Sequence, residues 1–181
     1  NSGCPGRCVF CNQRASGGSD TASSPAEVGD KVALYLKTID SSVTRIEAAF
    51  FGGNFTGLPR VEQEAYLAAL KPFLDDGRIQ GIRISTRPDF IDMDTAELLA
   101  RHGVDTVELG VESLSDPVLE ASLRGHTAED VYRAVDILKS AGISLILQLM
   151  AGLPRDDRVT CLASAREAAG LHPAGARVFP A

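Results

Sequence analysis

The chain has 181 residues, of which 44% are hydrophobic and 23% charged, with a formal net charge of −6 and a mean hydropathy of +0.02. These values are typical of a globular domain that can bury a core, and no apolar run is long enough to span a bilayer. The bulk charge excludes a uniformly basic nucleic-acid-binding domain, although an acidic total leaves room for a local basic patch that binds RNA.

Three cysteines stand together near the start of the sequence. Cys4, Cys8 and Cys11 are spaced C-x3-C-x2-C in a loop that also carries glycine and proline, residues 3–12. Iron–sulfur cubanes are held by cysteine thiolates, normally four of them. Three ligands leave one iron without a protein partner, and an open coordination position is what a catalytic metal needs. The loop therefore predicts a [4Fe–4S] cluster with one open iron.

A zinc site or a disulfide would suit these three cysteines less well. A zinc site usually adds a second C-x2-C or a histidine pair, and a disulfide would leave an odd thiol. The fourth cysteine, Cys161, lies in a distant helical pattern and is expected to pack in the core. Two non-catalytic alternatives stay open. One is an iron–sulfur protein that carries electrons or binds a partner, and the other is a zinc-stapled barrel that serves as a binding module.

The rest of the chain alternates between apolar runs and helical patterns. After a polar loop at 14–24, strands are predicted at 45–51, 81–86, 106–111, 143–150 and 177–179. Helix starts are predicted at Ser24 with Glu27, near Pro59, at Asp94 with Glu97, at Asp116, at Thr127 with Asp130 and before Val159. The run at 143–150 reads as a strand buried on both faces.

The second of these helices carries two further predictions. Val61, Ala65 and Ala68 are predicted to share one face at helical spacing. Pro72 is expected to kink or end the helix, because proline lacks the backbone donor and its ring meets the preceding turn.

Strands that alternate with helices predict βαβ units, a parallel sheet and the α/β class. An open doubly wound sheet and a barrel both satisfy that pattern. No G-x-G-x-x-G motif opens a helix after a strand, so a dinucleotide-binding sheet is poorly supported. A barrel collects functional groups at the carboxyl ends of its strands. The residues at those ends are Gly52, Gly53, Asn54, Arg87, Glu112 and Gln148.

The chemistry of these residues is consistent with a ligand site. Gly52 and Gly53 would let backbone carbonyls approach an ammonium group, or they form a tight turn. Gln148 is an amide inside an apolar strand and needs a partner from the core or from a ligand. Arg124 lies between two helices, where a planar guanidinium suits a carboxylate.

The sequence resembles the radical S-adenosylmethionine (radical SAM) superfamily, whose cluster loop has the same C-x3-C-x2-C spacing with an aromatic residue, here Phe10, before the third cysteine. Five further motifs in the family's order resemble the branch of the Elongator catalytic subunit and oxygen-independent coproporphyrinogen III oxidase. They are FFGGNFT at 50–56, STRPD at 85–89, VELGVES at 107–113, RGHT at 124–127 and LMAGLP at 149–154. The resemblance implies a partial (βα)6 TIM-type barrel with parallel strands. Residues 1–181 would be its radical SAM core domain, a piece of a longer protein whose first strand precedes residue 1.

The resemblance also implies two cofactors, a [4Fe–4S] cluster on Cys4, Cys8 and Cys11, and S-adenosylmethionine on its open iron. An electron from the cluster would cleave S-adenosylmethionine and release a 5′-deoxyadenosyl radical. By family roles, Gly52 and Gly53 would hold the methionine amino group. The remaining cofactor contacts would be Arg124 to the carboxylate, Gln148 to the ribose, Phe10 and the backbone near Met150 to the adenine, and Asn54, Ser85, Arg87 and Glu112 at other ligand-facing positions.

Three of these positions depart from the family pattern. Glu112 stands where relatives usually have Gln, Asn54 where many have Glu or Thr, and Ser85 where the most similar members have Glu. The expected electron donor is a flavodoxin- or ferredoxin-like protein. The substrate is left between tRNA, as in Elongator-like members, and a small molecule. An oxygen-sensitive cluster predicts a reducing, cytoplasmic compartment and no membrane partner.

Overall fold

The computed structural model describes residues 3–11 and 23–181. The polar loop predicted at 14–24 lies outside these residues except for its last two positions. Within the described chain, one sheet contains five parallel strands in the spatial order β1-β2-β3-β4-β5. Their bounds are β1 Glu47–Phe50, β2 Gly81–Thr86, β3 Val104–Glu112, β4 Ser144–Ala151 and β5 Gly175–Pro180.

Helices connect the strands, as the βαβ prediction requires. The helices of the described residues are α1 Pro25–Leu36, α2 Arg60–Asp75, α3 Met93–Arg101, α4 Asp116–Ala121, α5 Ala128–Ser140 and α6 Arg158–Gly170. Short 3₁₀ turns follow β1 and β2, at Phe55–Gly57 and Pro88–Phe90. None of the helices in the described ranges has both the length and the apolar character needed to cross a bilayer.

The helix starts depend on side-chain caps. Ser24 and Glu27 form a capping box at α1, and Thr127 and Asp130 form another at α5, both as predicted. The prediction for α3 was wrong by two residues, because its cap is Asp92, whose carboxylate accepts from the Thr95 amide at 2.8 Å. Asp94 lies inside the first turn, where its charge favours the amino end of the helix.

Helix α2 packs on the core with a face other than the one that carries Val61, Ala65 and Ala68. Val61 is 71% exposed, while Leu67, Leu70 and Phe73 are buried. The face that carries Val61, Ala65 and Ala68 is not the most buried one, because short alanines do not outweigh these larger side chains in burying apolar area. Pro72 lies inside the helix and does not end it. The helix continues to Asp75, since the buried Phe73 holds the last turn against the sheet.

The sheet has one packed face and one partly open face. On β4, Leu145, Leu147 and Leu149 are buried, while Gln148 and its alternate neighbours are only half-buried. The prediction that this strand is buried on both faces was therefore wrong. The half-buried side chains belong to the inner face, defined here by Arg83, Ser85, Glu108, Gln148 and Arg177.

The sheet curls around its inner face. In a flat sheet, β1 and β5 would lie about 19 Å apart, at four strand spacings. The guanidinium carbon of Arg177 on β5 nevertheless lies 6.0 Å from the centre of the Phe51 ring, which directly follows β1. The lengths of the Arg177 and Phe51 side chains account for only part of the separation of β1 and β5 that a flat sheet would have. The strands therefore form the open, curled half-barrel that the parallel α/β prediction describes.

Candidate functional site

The curled sheet and the cysteine loop enclose a cavity of about 980 Å³ at the carboxyl ends of the strands. The sequence-predicted residues that line it are Cys4, Cys8, Phe10, Cys11, Gly52, Gly53, Ser85, Arg87, Glu112, Arg124 and Gln148. Residues from six separate segments thus converge on one opening. Asn54 and Met150, which were predicted beside them, are not in the cavity lining.

The cysteine loop docks on the 3₁₀ turn after β1 through backbone contacts. The Asn54 side-chain amide donates to the Gly3 carbonyl at 3.1 Å, and its oxygen accepts from the Thr86 hydroxyl at 2.6 Å and the Arg87 amide at 3.1 Å. Gly3 and Gly57 touch so closely that a Cβ on Gly57 would lie 1.9 Å from the Gly3 oxygen. Asn54 therefore joins the loop to the end of β2.

The thiols surround Gly6. A Cβ on this glycine would lie 3.5 Å from the sulfurs of both Cys4 and Cys8, so these two sulfurs are at most twice that distance apart. Among residues 3–11 and 23–181, no three Cys, His, Asp or Glu side chains are close enough to hold a single metal ion. In a cubane each cysteine binds a different iron, which keeps the sulfurs farther apart than the ligands of one ion. The upper limit on the distance between the Cys4 and Cys8 sulfurs is compatible with such a cluster.

Two buried arginines face the thiols. The Nη1 of Arg124 lies 3.7 Å from the Cys8 sulfur, and the Nη1 of Arg87 lies 2.7 Å from the Cβ position of Gly6. Neither the Arg87 Nη1 nor the Arg124 Nε finds a hydrogen-bond partner within the described chain. Buried donors normally have partners. These two unpaired donors are therefore well placed to receive anionic groups such as cluster sulfur or a carboxylate.

Arg87 is held by a carboxylate on its other side. Its Nε and Nη2 donate to the two oxygens of Asp89 at 2.9 and 2.8 Å, a bidentate pair. Burial lowers the pKa of Arg87, but Asp89 and the neighbouring Cys4 and Cys8 outweigh that effect and raise the pKa overall. Arg87 therefore keeps its positive charge beside the thiols.

Arg124 depends on the absence of a side chain at Gly110. Its Nη2 donates to the Gly110 carbonyl at 2.8 Å, and a Cβ on Gly110 would lie 2.7 Å from the same nitrogen. The strand bulges directly after this glycine, and Glu112 adopts a positive φ of 65°. This strained backbone turns the Glu112 carboxylate to within 3.5 Å of Arg124 Nη2. Burial raises the pKa of Glu112, although Arg124 and Arg87 oppose that shift.

His126 lies behind the arginines. Its Nε2 is 3.2 Å from the Val111 carbonyl and donates to it, while its Nδ1 is buried without a partner in the described residues. Burial lowers the pKa of His126 to about 4, with Arg124 and Arg87 acting in the same direction and Asp89 against it. The imidazole is therefore neutral at neutral pH.

A charged network that sequence reasoning missed covers the inner face. Glu108 is 1% exposed, and its carboxylate accepts from Arg83 at 3.1 Å, Gln148 at 2.7 Å and Arg177 at 2.8 Å. Arg83 also pairs with Glu47 at 2.5 Å. The sequence contained a signal for this network. Glu108 and Glu112 are an even number of residues apart, so a regular strand would present both side chains on the same face. Which polar residues of other strands they meet depends on the register.

The comparisons with known proteins agree with this architecture. A family model described as the Radical SAM superfamily matches residues 1–166. The chain belongs to the radical SAM superfamily. The resemblance based on the cysteine loop and the five later motifs is thereby confirmed, and the family implies a [4Fe–4S] cluster and S-adenosylmethionine as cofactors.

Several proteins similar to this radical SAM chain lie in the predicted branch. Elongator complex protein 3 of Saccharomyces cerevisiae is 29% identical over 136 residues, covering 66% of this chain and 24% of that protein. The tRNA uridine(34) acetyltransferase of Dehalococcoides mccartyi is 27% identical over 210 residues, covering 98% of this chain and 46% of that protein. Coproporphyrinogen III oxidase of Escherichia coli shares the fold, with a TM-score of 0.69 at 17% identity, covering 96% of this chain and 41% of that chain. The radical SAM chain thus spans a quarter to a half of the length of these proteins.

Asn54 and Met150, which are predicted cofactor contacts, lie outside the cavity lining that contains the other predicted contacts. Asn54 is 1% exposed, and its amide is used in contacts with Gly3, Thr86 and Arg87. Met150 is half-buried on the same side of β4 as Gln148, one step farther toward the strand end. Direct contact of either residue with a cofactor stays a prediction. The lining residues that the sequence did not single out include Phe51, Arg177 and Phe179.

Proposed function

We propose that this radical SAM domain is the radical-generating part of an enzyme, with a [4Fe–4S] cluster on Cys4, Cys8 and Cys11. The observation that carries the proposal is that all three cysteines line one cavity with Gly52, Gly53, Arg124 and Gln148. When bound, the cluster supplies the electron that cleaves S-adenosylmethionine to methionine and a 5′-deoxyadenosyl radical, which takes a hydrogen atom from the substrate.

The residues of the cavity have separate tasks in this proposal. The backbone of Gly52 and Gly53 holds the methionine ammonium, because no side chain screens its carbonyls. Arg124 holds the methionine carboxylate through its planar guanidinium. Gln148 accepts from a ribose hydroxyl, and Phe10 lines the adenine. Arg87 places a permanent positive charge beside the thiolates. The enclosing walls exclude water from a reactive radical.

The direct test is reductive cleavage. The chain is reconstituted with iron and sulfide without oxygen, then given dithionite and S-adenosylmethionine, and 5′-deoxyadenosine is measured. We expect product from the wild type and none above background from Cys4→Ala, Cys8→Ala or Cys11→Ala. Cys161→Ala is the matched control, since Cys161 is not in the cavity lining, and it should cleave like the wild type. Equal product from the wild type and the triad variants would defeat the proposal.

Metal analysis separates the proposal from its non-catalytic rivals. A cubane gives about four irons with matching sulfide per chain. Zinc alone would support a stapled binding module. A cluster that survives Cys161→Ala but not Cys8→Ala would argue against a fourth protein ligand, and so against a protein that only transfers electrons.

The substrate is proposed from the relatives. Their names refer to Elongator and to acetylation of tRNA uridine 34, so tRNA is the first substrate to assay. Small molecules are the second, because the fold is shared with coproporphyrinogen III oxidase. We propose a flavodoxin- or ferredoxin-like electron donor and a reducing, cytoplasmic setting, which the cluster would require. The assay follows incorporation of deuterium from labelled substrate into 5′-deoxyadenosine.

A further inference from the structure

Gln148 presents its amide to the cavity in one orientation only. Its Nε2 donates to Glu108 Oε2 at 2.7 Å, and its Oε1 has no partner among the described residues and is not buried. An ionised carboxylate accepts hydrogen bonds and cannot donate them. Of the two ends of the amide, only the nitrogen can therefore face Glu108, which turns the oxygen toward the cavity.

The surroundings of Glu108 keep its carboxylate ionised, so that it only accepts hydrogen bonds. Two arginines, Arg83 and Arg177, donate to it from the neighbouring strand β2 and from β5. Burial raises the pKa of Glu108, but the hydrogen bonds from Gln148, Arg177 and Arg83 outweigh that effect and lower the pKa overall. Glu108 is 1% exposed and is absent from the cavity lining, so a ligand in the cavity cannot reach it directly.

We propose that Glu108 is a positioning residue that orients the Gln148 amide, so that the cavity offers a ribose hydroxyl of S-adenosylmethionine an acceptor and not a donor. This inference rests on the proposed function, because it assigns Gln148 to the ribose. Glu108 acts through Gln148 alone. Arg177, its other neighbour in the cavity lining, donates to the same Glu108 Oε2 and places a cation 5.0 Å from the Phe179 ring.

The test compares affinities for three ligands. Anaerobic calorimetry on the reconstituted chain measures Kd for S-adenosylmethionine and for its 2′-deoxy and 3′-deoxy analogues. Glu108→Gln offers Gln148 either a donor or an acceptor, so the amide loses its fixed orientation. We expect Kd for S-adenosylmethionine to rise about tenfold, the size of one well-made hydrogen bond. For the analogue that lacks the recognised hydroxyl, wild type and variant should bind equally.

Glu47→Gln is the matched control. It removes one negative charge from the same network through Arg83, but Glu47 does not contact Gln148. Its Kd for S-adenosylmethionine should stay within about twofold of the wild type. Gln148→Ala leaves both oxygens of Glu108 paired with arginines, so it should fold even if Glu108→Gln does not, and it should show the same ligand-selective loss.

Three results would overturn the inference. They are an unchanged Kd for Glu108→Gln, an equal rise for all three ligands, or a loss in Gln148→Ala that does not depend on the ribose hydroxyls. A wild type that holds about four irons yet binds none of the ligands would instead overturn the proposed function. Iron content and thermal unfolding of every variant identify effects that come only from misfolding.

Discussion

Two sets of residues support the cavity, mostly from outside its lining, and are held by different forces; we call them the loop wall and the strand wall. On the loop wall, defined by Gly3, Asn54 and Gly57, backbone groups and one amide pack at close range and carry no net charge. On the strand wall, defined by Arg83, Glu108 and Arg177, a buried carboxylate is shared between two cations. We therefore expect the loop wall to be destabilised by substitutions that add atoms, because it is closely packed. We expect the strand wall to be destabilised by substitutions that remove a charge.

The largest expected effect is on the strand wall. Glu108→Ala would leave Arg83 and Arg177 without their shared carboxylate. Removing one partner of a buried pair costs at least about 3 kcal/mol, and we expect a value near that lower limit because Arg83 and Arg177 are 26% and 46% exposed. Urea denaturation measures the free energy of unfolding. Glu47→Ala should cost less, about 1 kcal/mol, because Glu47 is 19% exposed and its partners Arg45 and Arg83 are 54% and 26% exposed. Equal losses in the two variants would show that burial of the carboxylate is not what matters.

Acid should destabilise the protein through His126 and Glu108 in different pH ranges. His126, which donates to the Val111 carbonyl on β3, has a folded pKa of about 4 against 6.5 when unfolded. The unfolded chain therefore binds the extra proton first, and stability falls as the pH falls from 6.5 to about 4, by at most roughly 3 kcal/mol. The pKa of Glu108 is lowered from 4.5, so its contribution is lost only below that value.

The variant His126→Gln isolates the first of these ranges. Glutamine can keep a donor toward the Val111 carbonyl but does not titrate. The stability difference between wild type and variant, measured by urea denaturation at several pH values, should change between pH 6.5 and 4 and level off below. A constant difference across that range would mean that His126 is protonated in the folded protein or accessible to water.

A methyl group should be enough to disturb the loop wall. Gly57→Ala places a Cβ against the Gly3 oxygen and the Asn54 amide, so backbone atoms must move, at about 2 kcal/mol. We expect the reconstituted variant also to retain less iron, because the cysteine loop is displaced. Gly170→Ala is the control, since no atom lies within 4 Å of the added carbon. Full iron retention in Gly57→Ala would show that the loop tolerates this displacement.

The smallest effect is expected outside both walls. Arg45, which is 54% exposed, pairs with Asp105 at the amino end of the sheet. Arg45→Met should cost about 0.5 kcal/mol or less, and the difference should shrink in high salt because exposed pairs are screened. Thermal unfolding at low and high salt measures it. A cost comparable with that of Glu108→Ala would mean that exposure does not weaken ion pairs in this fold.

The order and class of the elements could be predicted from the sequence, since they follow from local patterns. The alternation of apolar runs and capped helices placed every strand of the described chain within a few residues, and β2 was placed at its observed bounds. The cluster loop could also be predicted from the sequence, because its three cysteines lie within eight consecutive residues. The errors arose at Asp94 and on β4, because tertiary packing decides which nearby residue caps a helix and how far the inner face of a strand is covered.

By itself, the sequence determined the parallel α/β class, the cysteine triad and the set of polar residues that close the strands. Only the tertiary structure decided that Asn54 joins the loop to β2 and that Glu108 meets Gln148 and Arg177 from neighbouring strands. The physical reason is that residues far apart in sequence become partners only through strand register and sheet curvature. No local pattern encodes those two quantities.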